Sequence, residues 1–521
     1  MKIHLHHGLA LAAVFAVSCA LGDEIHSNGL GSGLWSDPNS WNGKKVPTAT
    51  DVVVIAAKDV VLFDRDDSGK NTCKEIHIDP NGTLAFQRNS GSRILCVDGI
   101  IESYGIFKID ASNSKDNMEL RMVAAAPEQR VIRLLKGSAL IVTGNEELAD
   151  DKHNATLIAW PVGDAKTLVP GKITGGQHVA IDIKYTDLQH MVLEASSIDN
   201  TGSKPNERLN VVGNRFTGLS SMVFTSCDTP LVKGNLFLAS TNAAVAVSAM
   251  YLNACPLAEI RGNKVVGPYP YGIQVNGECS VNGNIIEKCT VGLYWYVYNA
   301  MARQNVIRDC ETGIYLANVT GTFEDIEIDK CKFGISANAT IAQLTNIGIK
   351  NVDPKGGHAL TLDSSSLTIL NCNLKPDQIH CTKTPNPQVD LPWIDSMQFL
   401  VVKANGTVPP KTQVEVATVQ TGKPLAEGVA DLNVRNSPAM IRPSGLTALP
   451  PSPSCLVIRA WKIERDGKTT PTPDYTLSIW TPAEKQGDKN KVLFNKKIKP
   501  DESWYRPIPN DPNQAMEVTL P

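Results

Sequence analysis

Cys289, Cys310 and Cys331 stand 21 residues apart, and so do Gly292, Gly313 and Gly334, Ile286, Ile307 and Ile328, and Leu293, Ile314 and Ile335. An asparagine in the pattern Gly-Asn-x-apolar keeps the same beat at Asn214, Asn235, Asn263 and Asn284, and Gln304-Asn305 continues it. One step of 28 residues among steps of 21 reads as a coil with an insertion. A repeat of this length holds three short strands and three turns. It is too short for a helix-containing repeat and too long for a hairpin, so the period predicts one coil of a β-solenoid.

Coils stack about 4.8 Å apart, so a residue type repeated at this period forms a ladder along the axis. Asparagines stacked at a turn bond to the backbone of their own coil and to the next amide above, which satisfies a buried corner. The isoleucines fill the interior, and glycine serves where a turn requires positive φ or close approach. Stacked cysteines keep their β-carbons about 4.8 Å apart, wider than the roughly 3.5–4.5 Å of a disulfide. They are therefore expected as free, buried thiols.

The rest of the chain agrees. Short valine- and isoleucine-rich runs alternate with Gly and Asn, and no long stretch carries a 3.6-residue apolar period, so the fold class is all-β. Lys and Arg number 50 against 53 Asp and Glu, a formal net charge of −3. That balance offers no basic field for nucleic acid and no acidic block for cations. The start reads as a secretory signal peptide over 1–22: basic residues from Lys2, an apolar run Leu9 to Ala16, then small Ala20 and Gly22. Ala16-Val17-Ser18 before Cys19 leaves a lipoprotein signal as the competing reading. Either way the mature chain is expected outside the cell or on its surface, and no later run is long enough to span a membrane. Of 12 cysteines, 11 remain once Cys19 is removed with the leader; that odd number leaves at least one thiol unpaired, against a full disulfide framework. Five Asn-x-Ser/Thr sequons occur, at Asn81, Asn154, Asn318, Asn338 and Asn405.

Gly-Asn-x-apolar followed by Gly-Ile-x-Val at Gly272 or Gly-Leu-x-Trp at Gly292 resembles the parallel β-helix repeat of pectin- and alginate-degrading enzymes and of many bacterial surface proteins. The resemblance covers about Leu157 to Leu374 and implies a right-handed, single-stranded parallel β-helix over 157–380. It leaves activity open, because the scaffold serves lyases, hydrolases, epimerases and adhesins. Upstream, Gly33-Leu34-Trp35-Ser36-Asp37-Pro38-Asn39-Ser40-Trp41 leads to Pro47, Asp51 and the run Val52 to Ile55, then Val60-Val61-Leu62-Phe63-Asp64, Ile76-His77-Ile78 and Asn81-Gly82-Thr83-Leu84. This resembles the G8 domain of fibrocystin and of the cell-migration-inducing hyaluronan-binding proteins, over 33–144. It departs at Ala56-Ala57-Lys58, where a turn usually carries glycine. From Pro392 the period stops and proline becomes dense, which predicts a β-sandwich over 392–521. Its role is either to cap the solenoid's open end or to meet a surface protein partner.

Residues with chemistry fall in three groups. The interior parity of Leu293 turns Tyr294 and Tyr296 outward, and the 21-residue register places Gln274 below and Tyr315 above Tyr294. These four residues form a candidate carbohydrate surface of aromatic rings edged by amides; tyrosine also simply suits a half-exposed sheet. Asp182 and Lys184 point out of the strand holding Ile181 and Ile183, with Asp187 and His190 at the following turn, a set that contains an acid and a base or a satisfied corner. Glu287, Arg308 and Asp329 share one column and Lys288, Asp309 and Lys330 the next, an alternation of sign that stabilises a solvated sheet and that makes Asp309 a further acid–base candidate. Cys-x-x-Cys, His-Glu-x-x-His, a calcium loop, a phosphate loop and a Gly-x-Ser-x-Gly elbow are all missing, so no metal or cofactor is expected. The composite expectation is a secreted protein that binds an extracellular polysaccharide, hyaluronan-like or uronate-containing, with cleavage by a lyase or hydrolase mechanism as an extension. The rival expectation is a non-enzymatic surface protein using the solenoid as a rigid spacer.

Overall fold

The computed structural model describes residues 22–417 apart from 89–90, 149–152, 160–168, 202–206, 241–246, 354, 383–392, 401, 406–408 and 410, together with 439–440, 456–471, 475–483, 489–498 and 516–520. The leader and Cys19 lie outside these residues.

The chain winds into a parallel β-solenoid of about 13 turns, and the described residues contain only short 3-10 turns besides strands. Each full coil contributes three strands, one to each face. In the coil following Cys255, Glu259–Arg261 lies on the second face, Lys264–Val266 on the third and Tyr271–Asn276 on the first. Strands of the first face pair in parallel from Glu24–His26, through Val52–Ile55 and Glu75–Ile78, up to Ile379–Cys381. The third face is an 11-stranded parallel sheet that starts at Arg93–Val97. Strands of 33–144 and strands of 157–380 share these sheets, Val131–Leu134 pairing with Gly171–Gly175 and Ala139–Thr143 with Ala180–Lys184. One continuous core runs from Ile25 to Ile463.

The ladders stand where the period places them. Ile286, Ile307 and Ile328 are in register and fully buried. Asn214, Asn235, Asn263, Asn284 and Asn305 are buried at the corner between the second and third faces; Asn214 accepts from the Thr186 N–H, and each of the other four accepts from the backbone N–H and side-chain amide of the asparagine below it. The residue before each takes a left-handed conformation, as glycine at 213, 234, 262 and 283 and then as Gln304 (φ 55). Lys58 likewise adopts φ 70 in the turn where glycine was expected. Leu293 and Trp295 are fully buried, and Val297, two residues on, takes a corner at φ 66.

Cys289, Cys310 and Cys331 are buried and free. Each thiol donates to the carbonyl two residues before it, at 3.3–3.5 Å. The hydrogen bond shared with Cys289, together with burial, pushes the Cys310 thiol up to about 12, so it stays protonated and unreactive at neutral pH. A disulfide reagent added to the folded protein is expected to leave these three thiols unmodified and to label them once the chain is unfolded. Fast labelling of Cys310 without unfolding, read by peptide mass, would contradict the buried ladder.

Both ends of the core are closed. At the start, Trp35 and Trp41 are buried edge-to-face at 5.1 Å, and the Trp41 indole donates to the Trp35 carbonyl at 2.8 Å. Phe63, Phe86 and Phe107 continue this aromatic stack one coil at a time. At the far end, Ile394–Leu400 adds to the second face and then pairs antiparallel with Leu456–Ile463. Of the expected sandwich, the described residues show an antiparallel sheet of Gln413–Ala417, Ala439–Met440, Tyr475–Thr481 and Lys491–Ile498, and a parallel pair of Val402–Asn405 with Met516–Thr519.

Candidate functional site

The first face carries the aromatic surface. In Tyr271–Asn276 and the two strands stacked on it, Ile273, Leu293 and Ile314 point inward beside Val275, Trp295 and Leu316, so the residues between them point out. Gln274, Tyr294 and Tyr315 are register partners in successive coils, and Tyr251 lies in the same column below Gln274. The Tyr294 and Tyr315 rings are stacked, 5.4 Å apart with 2° between their planes, and Tyr271 leans on Tyr294 at 5.0 Å. Each ring therefore turns a face onto its neighbour. What the column offers outward is ring edges and phenol hydroxyls, and not the flat aromatic platform expected from the sequence. Tyr296 stands beside the column and is 40% exposed, which leaves its ring the most open to a sugar.

Polar groups edge these rings. The Gln274 carbonyl oxygen accepts from the Ser248 hydroxyl at 2.6 Å, and the Asn276 amide donates to Asn253 at 2.8 Å in the column that also holds Tyr296. Burial, and then the neighbouring tyrosines, hold the Tyr294 hydroxyl above its usual range. It is a hydrogen-bond donor at any physiological pH.

The acid–base candidates do not converge. Asp182 lies on the second face between Ile141 and Asn210 and is engaged by the Lys184 ammonium at 3.0 Å. Asp187 was expected at a turn but belongs to the third-face strand Thr186–Gln189. The turn is made by Tyr185, whose φ is 49. Asp187 is 2% exposed and lies between Thr156 and Arg215 in register. His190 occupies the next corner, at φ 54, where its Nδ1 accepts from the Leu219 N–H at 3.3 Å. A Cβ on Gly218 would fall 2.3 Å from the His190 ring, so glycine is required there for the ring to pack. Burial pushes the His190 pKa down, which keeps the ring neutral. Asp309 is exposed on the same corner line five coils later, about 24 Å along the axis.

Two features escaped the sequence. His153 is 5% exposed, burial lowers its pKa, and its ring lies 6.5 Å from that of Tyr185. It is sealed under that corner. The second is a depression on the first face, lined by residues between Arg133 and Thr225. Its column steps are unequal, so no period announced it.

Residues 40–145 match the G8 domain, and residues 181–351 match the family described as periplasmic copper-binding protein (NosD). The ion in that description does not fit the donors present. Among the described residues no three His, Cys, Asp or Glu side chains are grouped to hold a metal, and the thiol ladder is buried with its middle member, Cys310, held protonated, whereas a thiol must ionise to ligate. No curated protein matches the chain. Among solved structures, the gp42 tailspike of an Acinetobacter phage is 8% identical, covering 83% of this chain and 79% of that one with a TM-score of 0.21. A mutant tailspike of an E. coli bacteriophage in complex with hexasaccharide is 9% identical over 82% of this chain and 86% of that one, TM-score 0.19. Tailspike protein 3 of bacteriophage CBA120 is 11% identical over 79% of this chain and 57% of that one, TM-score 0.19. The chain thus carries a G8 domain at residues 40–145, followed by a NosD-type β-helix region at 181–351, on a single parallel β-solenoid.

Proposed function

We propose that the chain is a secreted glycan-recognition protein that holds an extracellular polysaccharide of the hyaluronan-like or uronate-containing class along its first face. The observation that carries this reading is the outward column Tyr251, Gln274, Tyr294 and Tyr315, with Tyr296 exposed beside it and the amides of Asn253 and Asn276 at its margin. Amphipathic rings with hydroxyl and amide donors in a row suit a polyhydroxylated chain, which needs apolar contact and many hydrogen bonds together. The resemblance of the first coils to hyaluronan-handling proteins supports the same class of ligand. Cleavage is left out of the proposal. Glycosidic hydrolysis by paired carboxylates requires two of them about 5–10 Å apart, and Asp182, Asp187 and Asp309 stand on different faces and corners.

Tyr294→Ala combined with Tyr315→Ala is expected to abolish retention on the best-binding column among immobilised hyaluronan, pectin, alginate and chondroitin. The melting temperature should change little, because both side chains lie on the outer surface of the sheet and outside the core. Unchanged retention would reject the face. Retention by none of the four polymers would favour the rigid-spacer reading instead.

A further inference from the structure

The tyrosine column does not stop at Tyr251. Val223 lies below it in register, then Glu194, Thr174 and Arg133, so eight outward residues stand in line from Arg133 to Tyr315. Seven rung steps span about 34 Å. An extended sugar chain rises per residue by nearly one rung, so a polymer lying along the axis would meet a new column residue with each sugar.

At the Arg133 end the face is hollow. A depression of about 530 Å³ is lined by Arg133, Lys136, Thr174, Gln177, Glu194 and Ser196, among others. Gly176, also in its lining, puts no side chain into it; a Cβ there would lie 3.9 Å from Ser196. The Arg133 guanidinium bonds Glu102 at 2.9 Å, and the Lys172 ammonium bonds Glu194 at 2.7 Å. Both cations are thereby fixed in position with part of their donor capacity turned outward. Lys136 is exposed at the rim. Of the charged residues in the lining, Arg133 and Lys136 outnumber Glu194, so the hollow favours an anion, while the hydroxyls of Thr174 and Ser196 and the Gln177 amide suit sugar hydroxyls.

We propose that this depression is an acidic-sugar subsite. It seats one uronate residue with its carboxylate toward Lys136 and Arg133, and it belongs to the same ligand track as the tyrosines. The ligand is then a linear uronate polymer engaged over about eight residues. This rests on the reading of the tyrosine column as a glycan surface. The chemistry differs between the ends: charge is read at Arg133 and Lys136, ring edges and hydroxyls at Tyr251 to Tyr315.

The test uses the full chain and oligosaccharides of polygalacturonate and of hyaluronan, four and eight sugars long, each also in carboxyl-reduced form. Binding is measured by calorimetry. For the better polymer, the acidic octamer is expected to bind at least tenfold more tightly than the tetramer. Lys136→Glu should remove about tenfold of octamer affinity and leave the carboxyl-reduced octamer as it was. Ser196→Trp, which fills the hollow from an exposed position, should do the same to the octamer while the melting temperature holds. If both variants bind the acidic octamer as the parent does, and the tyrosine double variant still weakens it, the subsite is overturned and the tyrosine face stands. Octamers that bind no better than tetramers overturn the subsite as well. Loss of neither affinity in the tyrosine variant, or no binding by either polymer, overturns both.

Discussion

Asn263→Leu is expected to leave most of the chain unfolded. Asn263 sits midway up the asparagine ladder and is 1% exposed. Its side-chain oxygen accepts from the Asn235 backbone N–H at 3.0 Å and from the Asn235 amide at 2.9 Å, and its own amide donates to the Val232 carbonyl at 3.0 Å and to Asn284 at 2.9 Å. Leucine keeps the branching and the number of heavy atoms but is bulkier, so overpacking at the corner adds to the loss of the hydrogen bonds. Two donors and a carbonyl would be stranded away from water, at about 1–3 kcal/mol each. The sum, about 3–9 kcal/mol, rivals the 5–15 kcal/mol by which a folded domain typically exceeds its unfolded state. Soluble yield and the urea midpoint measure it. A midpoint within error of the parent would show that the ladder carries no stability and that the corner is held by something else.

Asp395→Ala should be the second most damaging change, and its effect begins at the other end of the molecule. Both Asp395 oxygens are bonded by the Arg459 guanidinium, at 2.6 and 2.7 Å, with the two side chains only 12% and 15% exposed. The pair joins the last solenoid strand to the strand that caps it. Trp393 supports the same junction, under the Arg465 guanidinium at 4.6 Å, and Arg465 bonds back to the Ser365 carbonyl. Removing one member of a buried ion pair leaves an uncompensated charge and costs about 3–5 kcal/mol. The exposed end of a parallel sheet then invites pairing with other chains, so light scattering should rise at temperatures below the parent's melting point. Replacing both members, Asp395→Leu with Arg459→Met, should restore most of the stability. Failure of the double replacement to outperform Asp395→Ala would show that packing, and not the stranded charge, explains the loss.

The regular half of the solenoid was legible because its coils are equal. Between Arg261 and Ala339 each residue type lands on its own kind one coil later, so the register of Gln274, Tyr294 and Tyr315 followed from counting. Earlier coils are unequal. The outward column steps by 41 residues from Arg133 to Thr174, then by 20, 29, 28 and 23 to Gln274. No period survives such spacing, so the continuity of the first coils with the later ones, and the depression they form, appear only in the strand pairing. Parity placed Asp182 on the outside, where it lies. It misplaced Asp187, because Tyr185 alone makes the corner and the third-face strand begins at once. A left-handed tyrosine is rare enough that nothing local announces it. The stacked orientation of Tyr294 on Tyr315 was equally illegible, since register fixes which side chains meet and says nothing of how their rings turn.

Every main-chain hydrogen bond between coils points along the solenoid axis, which governs how the protein would bear load. Bending is resisted by three sheets braced around one core. A steady pull on the two ends instead strains each set of rungs in series, so the weakest interface yields first and the remainder opens coil after coil. The Asp395–Arg459 clasp and the Trp35–Trp41 plug lie at the two ends, where the load enters. A molecule built this way behaves as a stiff rod under compression and as a ripcord under tension.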